Sequence, residues 1–308
     1  MTTAVVLVAH GTVESLDDLP AFLANIRRGH PAPPELIAEV RRRYEAIGGR
    51  SPLLDITREV ARALEGRLGV PVRVAMRLFA PYPKDVLREL AAEGVRRVVV
   101  VPLAQHSAHV YGEAVEHAAK EAGLDLVVDA APNWGREPAL TRAFAESISG
   151  ALDVAIARGA RPAETALVLS AHSLPRSVIE AGDPYESEFR ASAADVAEAV
   201  LRARPGSVAE HVVCFQSQGM STGARPVQWL GPDLRSTLEG LASRGRRHVV
   251  LAPIGFLADH VEILYDLDIE ARAWADELGI ATYRSASLNA GEGILAALES
   301  VARRTLDA

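Results

Sequence analysis

At 308 residues, with 49% hydrophobic and 24% charged side chains, the chain has the composition of a soluble globular protein large enough for two ordinary domains. A formal net charge of −7 argues against nucleic acid, whose phosphates need a basic footprint, and suits the handling of cations. Cys214 is the only cysteine, which excludes a disulfide framework and any iron–sulfur cluster or cysteine-based zinc site held by this chain alone. A reducing, cytoplasmic setting fits that usage. Residues 1–9 lack a basic n-region, their apolar run is too short for a signal peptide, and no run of about 18 apolar residues is present to span a membrane. The default expectation is a soluble monomer, with peripheral contact to a membrane surface left open.

Short β-branched runs alternate with longer helical patterns from end to end, the signature of a parallel α/β architecture. In chain order the expected strands are 4–9, 72–76, 97–102, 124–128, 165–171, 211–215, 248–253 and 281–285. Most are apolar without alternation, as strands covered on both faces should be. The clearest expected helices are 34–47, 56–68, 83–93, 137–157, 187–202, 258–278 and 291–306. Asp233 reads as the N-cap of a further helix.

The chain also repeats itself. One constant offset aligns Pro81 with Pro232, Leu87 with Leu238, Leu90 with Leu241, Gly94 with Gly245, Arg96 with Arg247, Pro102 with Pro253, His109 with His260 and Val110 with Val261. A slightly different offset aligns 6–11 with 168–173, and so His10 with His172. The repeat divides the strands into four and four. It predicts two similar Rossmann-like lobes, 1–145 and 146–308, each a four-stranded parallel sheet flanked by helices, facing each other across a cleft. The last helix is expected to pack back on the first lobe.

Three groups of residues carry chemistry. His10 and His172 fall just past the carboxyl end of the first strand of each lobe, where open α/β sheets bind ligands. An imidazole there can take a proton near neutral pH or ligate a metal. A lone strand-end histidine is more often structural, but the same residue at two equivalent positions favours function. The second group is basic: Arg27-Arg28, Arg41-Arg42-Arg43-Tyr44 and Gly48-Gly49-Arg50-Ser51. Arginine forks hold carboxylates well, so this patch suits an anionic substrate. A solvated helix face with Glu39 and Glu45 as partners is an equal alternative.

The third group is a ladder of carboxylates, Glu262, Asp266 and Glu270, spaced four apart. At about 100° per residue they share one helical face, while Ile263, Leu264, Leu267 and Ala271 dock the helix. Like charges at this spacing oppose helix formation by about 0.2–0.5 kcal/mol per pair, and the first basic residue, Arg272, comes only after the ladder ends. A cation or a moving proton would compensate. The repeat puts Glu262 on the same rim as His172, and histidine with carboxylate is an adequate ligand set for a borderline divalent metal such as Fe²⁺. No zincin, GxGxxG or Walker pattern occurs, and Gly219 and Gly223 shape a loop instead of holding phosphate.

The segments Ser170-Ala171-His172-Ser173-Leu174-Pro175, Gln216-Ser217-Gln218-Gly219, Trp229-Leu230-Gly231-Pro232-Asp233 and Pro253-Ile254-Gly255-Phe256-Leu257-Ala258-Asp259-His260-Val261-Glu262, on to Glu270, resemble the hallmark segments of the ferrochelatases. The resemblance covers nearly the whole chain. It implies the chelatase fold, a bound porphyrin as substrate, and insertion of Fe²⁺ as the second substrate, with no prosthetic group. His172 and Glu262 then match the metal- and proton-handling pair, and Asp266 and Glu270 continue a proton relay towards solvent.

Within the family, Ile26-Arg27-Arg28-Gly29 and the segment from Arg43 to Leu53 look most like the branch that uses coproporphyrin III, where Arg27, Arg43, Tyr44 and Ser51 would bind propionates. His10 stands where that branch carries a metal-facing tyrosine, which makes it a third candidate metal ligand. A second porphyrin-contacting tyrosine of the branch falls near Ala114 or Val115, with Tyr111 as its stand-in, and 223–228 reads as a small insertion. Protoporphyrin IX remains an alternative substrate. Insertion of another metal into a related tetrapyrrole, or a non-catalytic porphyrin or haem carrier, are the rival readings. The intact ladder counts against a carrier, which needs no proton exit.

Overall fold

The run Thr3–Ala9 forms strand β1, and its residues from Ala4 onward are buried, as a strand covered on both faces must be. The computed structural model describes residues 2–219 and 227–308. Gly223 and most of the insertion expected at 223–228 lie outside the described residues. From β1 the chain passes through α1 (Leu19–Ile26), α2 (Pro34–Ala46) and α3 (Leu53–Leu68) to β2 (Val72–Met76). It then crosses through α4 (Pro83–Ala92) to β3 (Arg97–Pro102), and through α5 (Ala108–Glu121) to β4 (Val127–Ala130). The sheet is parallel, in the order β2-β1-β3-β4.

After α6 (Pro138–Ala157) the pattern repeats. β5 (Thr165–His172) leads through α7 (Arg176–Glu180) and α8 (Tyr185–Ala203) to β6 (Glu210–Gln216), and α9 (Leu234–Ser243) leads to β7 (His248–Ala252). A broken helix follows, made of α10 (Val261–Leu264), a π-helical turn (Asp266–Ala271) and α11 (Arg272–Glu277), before β8 (Ala281–Arg284) and α12 (Glu292–Leu306). The second sheet is again parallel, in the order β6-β5-β7-β8. Repeat-equivalent Pro81 and Pro232 both follow cis peptide bonds, and their carbonyls accept from Met76 N at 2.7 Å and Phe215 N at 2.9 Å.

The chain divides into two compact units. The first comprises residues 1–139, 258–260 and 289–308, and the second residues 140–257 and 261–288. They differ from the expected 1–145 and 146–308 because Asn289 and Asp259 hold each other: Asp259 N donates to Asn289 Oδ1 at 2.8 Å, and Asn289 Nδ2 to Asp259 Oδ2 at 3.0 Å. α12 packs on α3 and β3, and Arg97 donates to the carbonyls of Leu306 at 2.7 Å and Thr305 at 2.9 Å. The second core is built from β5, β6 and β7 against Leu234, Leu238 and Leu241 of α9 and the stripe Ile263, Leu267, Ala271 and Ala275.

Three expectations are corrected. β4 begins at Val127, not residue 124, where its pairing with β3 starts and the Arg97–Asp129 ion pair at 2.7 Å joins it, while Leu124 and Leu126 pack on the first core as part of the link from α5. Helices α1 and α5 lie in intervals where no clear period was read. The expected continuous helix 258–278 is interrupted by the π turn, where Tyr265 O accepts from both Ile269 N at 3.1 Å and Glu270 N at 2.9 Å.

The link after β7 presses on β5 at Gly255, whose N–H donates to Ser170 O at 3.0 Å. A Cβ there would approach Ala171 Cβ to 2.4 Å and Ala171 Cα to 2.6 Å. Gly255→Ala is therefore expected to destabilise the second unit by about 1–3 kcal/mol through overpacking. Gly150→Ala, in α6 with nothing within 4 Å of the new Cβ, should gain about 0.5–1 kcal/mol. Urea unfolding of the two variants checks both signs, and equal midpoints would contradict the close approach.

Candidate active site

His172 is the last residue of β5, and its backbone is fixed by side chains that follow it in sequence. Tyr185, at the start of α8, donates its hydroxyl to His172 O at 2.8 Å, and Asp183 accepts Tyr185 N at 2.9 Å. Ser173 is fully buried, donating its N–H to Gln216 O at 2.7 Å and its hydroxyl to Leu230 O at 2.9 Å. Glu262 comes from α10, beyond the neighbouring strand β7. Gln216, buried at the end of β6, clamps it: Nε2 donates to Glu262 O at 3.0 Å while Oε1 accepts the Ser170 hydroxyl at 2.6 Å.

These anchors bring the two side chains together. His172 Nδ1 lies 3.1 Å from Glu262 Oε2, and the side chains are 34% and 33% exposed, enough to meet a substrate. Burial opposes protonation of the imidazole, but the Glu262 charge and hydrogen bond, with the Asp266 charge behind them, outweigh it and hold His172 above its ordinary range. The pair therefore keeps a proton readily in the metal-free protein.

The ladder continues differently from an ideal helix face. Asp266 is 5% exposed, deeper than Glu262 and Glu270, and accepts a hydrogen bond from the Ser217 hydroxyl. Ser217 itself is held at φ 60 at the end of β6, a left-handed conformation costly for a residue with a Cβ. Arg284 grips Asp268 with both arms of its guanidinium, at 2.6 and 3.0 Å, so the π turn is tied from β6 and from β8. Glu270 is partly exposed and makes no ion pair or side-chain hydrogen bond among the described residues. Single-turn π-helices recur at functional sites because they re-aim side chains that an α-helix would stack.

In the first unit, His10 is exposed just beyond β1, with Nδ1 3.2 Å from the Tyr111 hydroxyl. Arg27 ends α1, and among the described residues its side chain makes no ion pair or hydrogen bond, with Nε buried. Arg43 is bound to Glu39 at 2.8 Å. The hydrogen bond from Arg42, against partial burial and with help from Arg43, holds the Glu39 carboxyl down at about 2. Tyr44 is 1% exposed, and its hydroxyl lies 2.9 Å from Thr12 Oγ1, which ties α2 to the loop after β1. Ser51 is buried too, with Oγ accepting from Leu53 N at 3.3 Å at the start of α3. Val115 is core, and Tyr111 is the tyrosine nearest the expected porphyrin-contacting position.

Among the described residues, no three His, Cys, Asp or Glu side chains converge as a metal cage. A separate groove of about 730 Å³ lies along α3 and β2, but its charges answer one another, Arg73 with Glu65 and Arg58 with Asp55, and nothing catalytic gathers there. Gln216, Ser217 and Tyr185 were not assigned roles by sequence reasoning. Gln216 and Ser217 close β6 and lie in the Gln216-Ser217-Gln218-Gly219 segment that resembles the family, and Tyr185 follows the Asp183-Pro184 turn.

Because the folded pKa of His172 is raised, its interaction with Glu262 is fully present below the unfolded value of about 6.5 and is lost as pH rises through the folded midpoint. NMR titration of the His172 ring should show a midpoint above 6.5 that falls in Glu262→Gln. A midpoint unmoved by that substitution would remove Glu262 as the cause.

Among solved structures, the SirB protein of Bacillus subtilis with Fe3+ superposes with a TM-score of 0.58 at 16% identity, covering 99% of this chain and 96% of that one, which shows the fold alone. A protein of Acidobacterium capsulatum named ferrochelatase is 37% identical over 99% of this chain and 94% of its own length. One of Geobacillus kaustophilus named coproporphyrin III ferrochelatase is 35% identical over 97% and 95%. The ferrochelatase family model matches residues 2–306, so the two like parallel sheets and the His172–Glu262 pair belong to a member of the ferrochelatase family.

Proposed function

We propose that the porphyrin metallated by this chain is coproporphyrin III and that ferrous iron is the metal. Iron insertion into a porphyrin in haem synthesis is the activity of the family to which the chain belongs. His172 and Glu262 accept the pyrrole protons and guide the metal, Asp266 and Glu270 carry protons away, and Arg27, Arg43 and Ser51 serve the propionates. His10 is the first unit's donor to iron, and Tyr44 acts by holding Thr12. The single observation that carries this reading is the partly exposed 3.1 Å pair of His172 and Glu262, backed by the buried Asp266 carboxylate.

The chemistry asks for what these residues supply. A free-base porphyrin holds protons on its pyrrole nitrogens, and both must leave as the dication enters, so charge stays balanced only if bases stand ready. A histidine whose pKa is raised by a carboxylate is a stronger base than an isolated imidazole, and it must first be neutral to act. Glu262 can share that proton, and the titration belongs to the pair. Coproporphyrin carries more propionates than protoporphyrin, and the side chains of Arg27 and the neighbouring Arg28, which make no ion pair among the described residues, favour the more anionic ring. Two curated relatives from Geobacillus species are named for that substrate. The sole thiol, Cys214, is buried and its pKa is pushed up by desolvation, so it takes no part, and this usage suits a cytoplasmic enzyme. Among the described residues no helix is long and apolar enough to cross a membrane.

Anaerobic absorbance with Fe²⁺ tests the reading. Coproporphyrin III should be metallated faster than protoporphyrin IX, at a rate that rises with pH through the His172 midpoint. His172→Ala and Glu262→Gln should each lose about 10²-fold or more. Asp266→Asn should lower turnover while leaving porphyrin affinity unchanged. Equal rates with both porphyrins would overturn the substrate assignment, and full activity in His172→Ala would overturn the mechanism.

A further inference from the structure

The repeat that aligns His109 with His260 and Val110 with Val261 pairs, at its next position, Tyr111 with Glu262. His10 and His172 are likewise equivalent, each at the carboxyl end of the central strand that begins its sheet. The contacts repeat as well as the positions. His172 Nδ1 meets Glu262 Oε2 at 3.1 Å, and His10 Nδ1 meets the Tyr111 hydroxyl at 3.2 Å. In both sheets the partner lies on the first helix after the strand next to that central strand, β3 beside β1 and β7 beside β5, where the strand order reverses. The same ring nitrogen is therefore addressed at the same distance from the same element of each unit.

We propose that Tyr111 is the positioning residue of His10, the counterpart in the first unit of Glu262, and that it orients the imidazole as a neutral donor to the iron of a metalloporphyrin. The ligand chemistry rests on the porphyrin reading given above. With Nδ1–H donating to the phenol oxygen, a metal meets the ring through Nε2, the arrangement in which metal-binding histidines are oriented and made more basic. Tyr111 is 9% exposed, and the Arg77 guanidinium lies 5.5 Å from its ring centroid, so the phenol is held while His10 is exposed.

The substitution of phenol for carboxylate separates the two pairs chemically. A carboxylate can stabilise an imidazolium and receive its proton. A neutral phenol offers a hydrogen bond without that charge. The pair in the second unit thus handles protons, and the pair in the first unit is confined to ligation.

The test uses the full chain loaded with preformed iron coproporphyrin III, reduced, with the iron–histidine stretching band read by resonance Raman spectroscopy. The band should survive His172→Ala and disappear in His10→Ala. It should move to lower frequency in Tyr111→Phe, which removes the acceptor at Nδ1, and to higher frequency in Tyr111→Glu, which installs the stronger acceptor found at the equivalent position. Unfolding midpoints of the variants separate a lost fold from a lost hydrogen bond. Absence of the band in the wild type, its survival in His10→Ala, or an unmoved band in both Tyr111 variants would overturn the proposal. Because the iron porphyrin is supplied ready-made, this outcome is independent of whether the chain metallates coproporphyrin III itself.

Discussion

β5 and β7 are neighbours in the second sheet although α8, β6 and α9 separate them in the chain, and the site depends on that adjacency. The strand order reverses at β5, so the segment leaving β7 must pass over the end of β5. At Gly255 it does so with no Cβ in the way, and a few residues later Glu262 comes within hydrogen-bond reach of His172. The fully buried run from Ala166 to Ala171 makes this end of the sheet stiff. A histidine at the tip of such a strand is aimed by the whole core beneath it.

Carboxylates inside such a framework are costly unless each is answered. Glu262 is answered by His172, Asp266 by Ser217 and Asp268 by Arg284. Neither His172 nor Ser217 is near the ladder in sequence, which is why its first two carboxylates look uncompensated when read as a linear string. The apolar residues one step on, Ile263, Leu267 and Ala271, keep their spacing through the π turn and still reach the core. Hydrophobic spacing alone could not reveal the wider turn, because an extra residue per turn shifts the faces by less than the width of the buried stripe.

The same limits account for what was legible elsewhere. β2 and β3 match the expected bounds, and the repeat accounts for two like four-stranded parallel sheets, whose strand order the sequence does not give. β4 starts later than expected because Leu124 and Leu126 are as apolar as a strand, while the pairing with β3 begins only at Val127. His172 and Glu262 were found through equivalence and chemistry. Nothing local to Tyr44 signals that Thr12, on another segment, hydrogen-bonds its hydroxyl. Gln216, Ser217 and Tyr185 act through backbone carbonyls or a buried carboxylate, and such tasks leave no mark on composition or period.

α12 closes the first unit from the far end of the chain. Its buried face, Ile294, Leu295, Leu298 and Val301, covers apolar surface on α3 and β3, and Arg97 reaches its final carbonyls. During synthesis the amino-terminal unit therefore emerges with one flank bare and must keep it so until everything up to α12 has been made. The second unit is the part that can close early, as an insertion within the first. Completion of the first unit thus waits on α12.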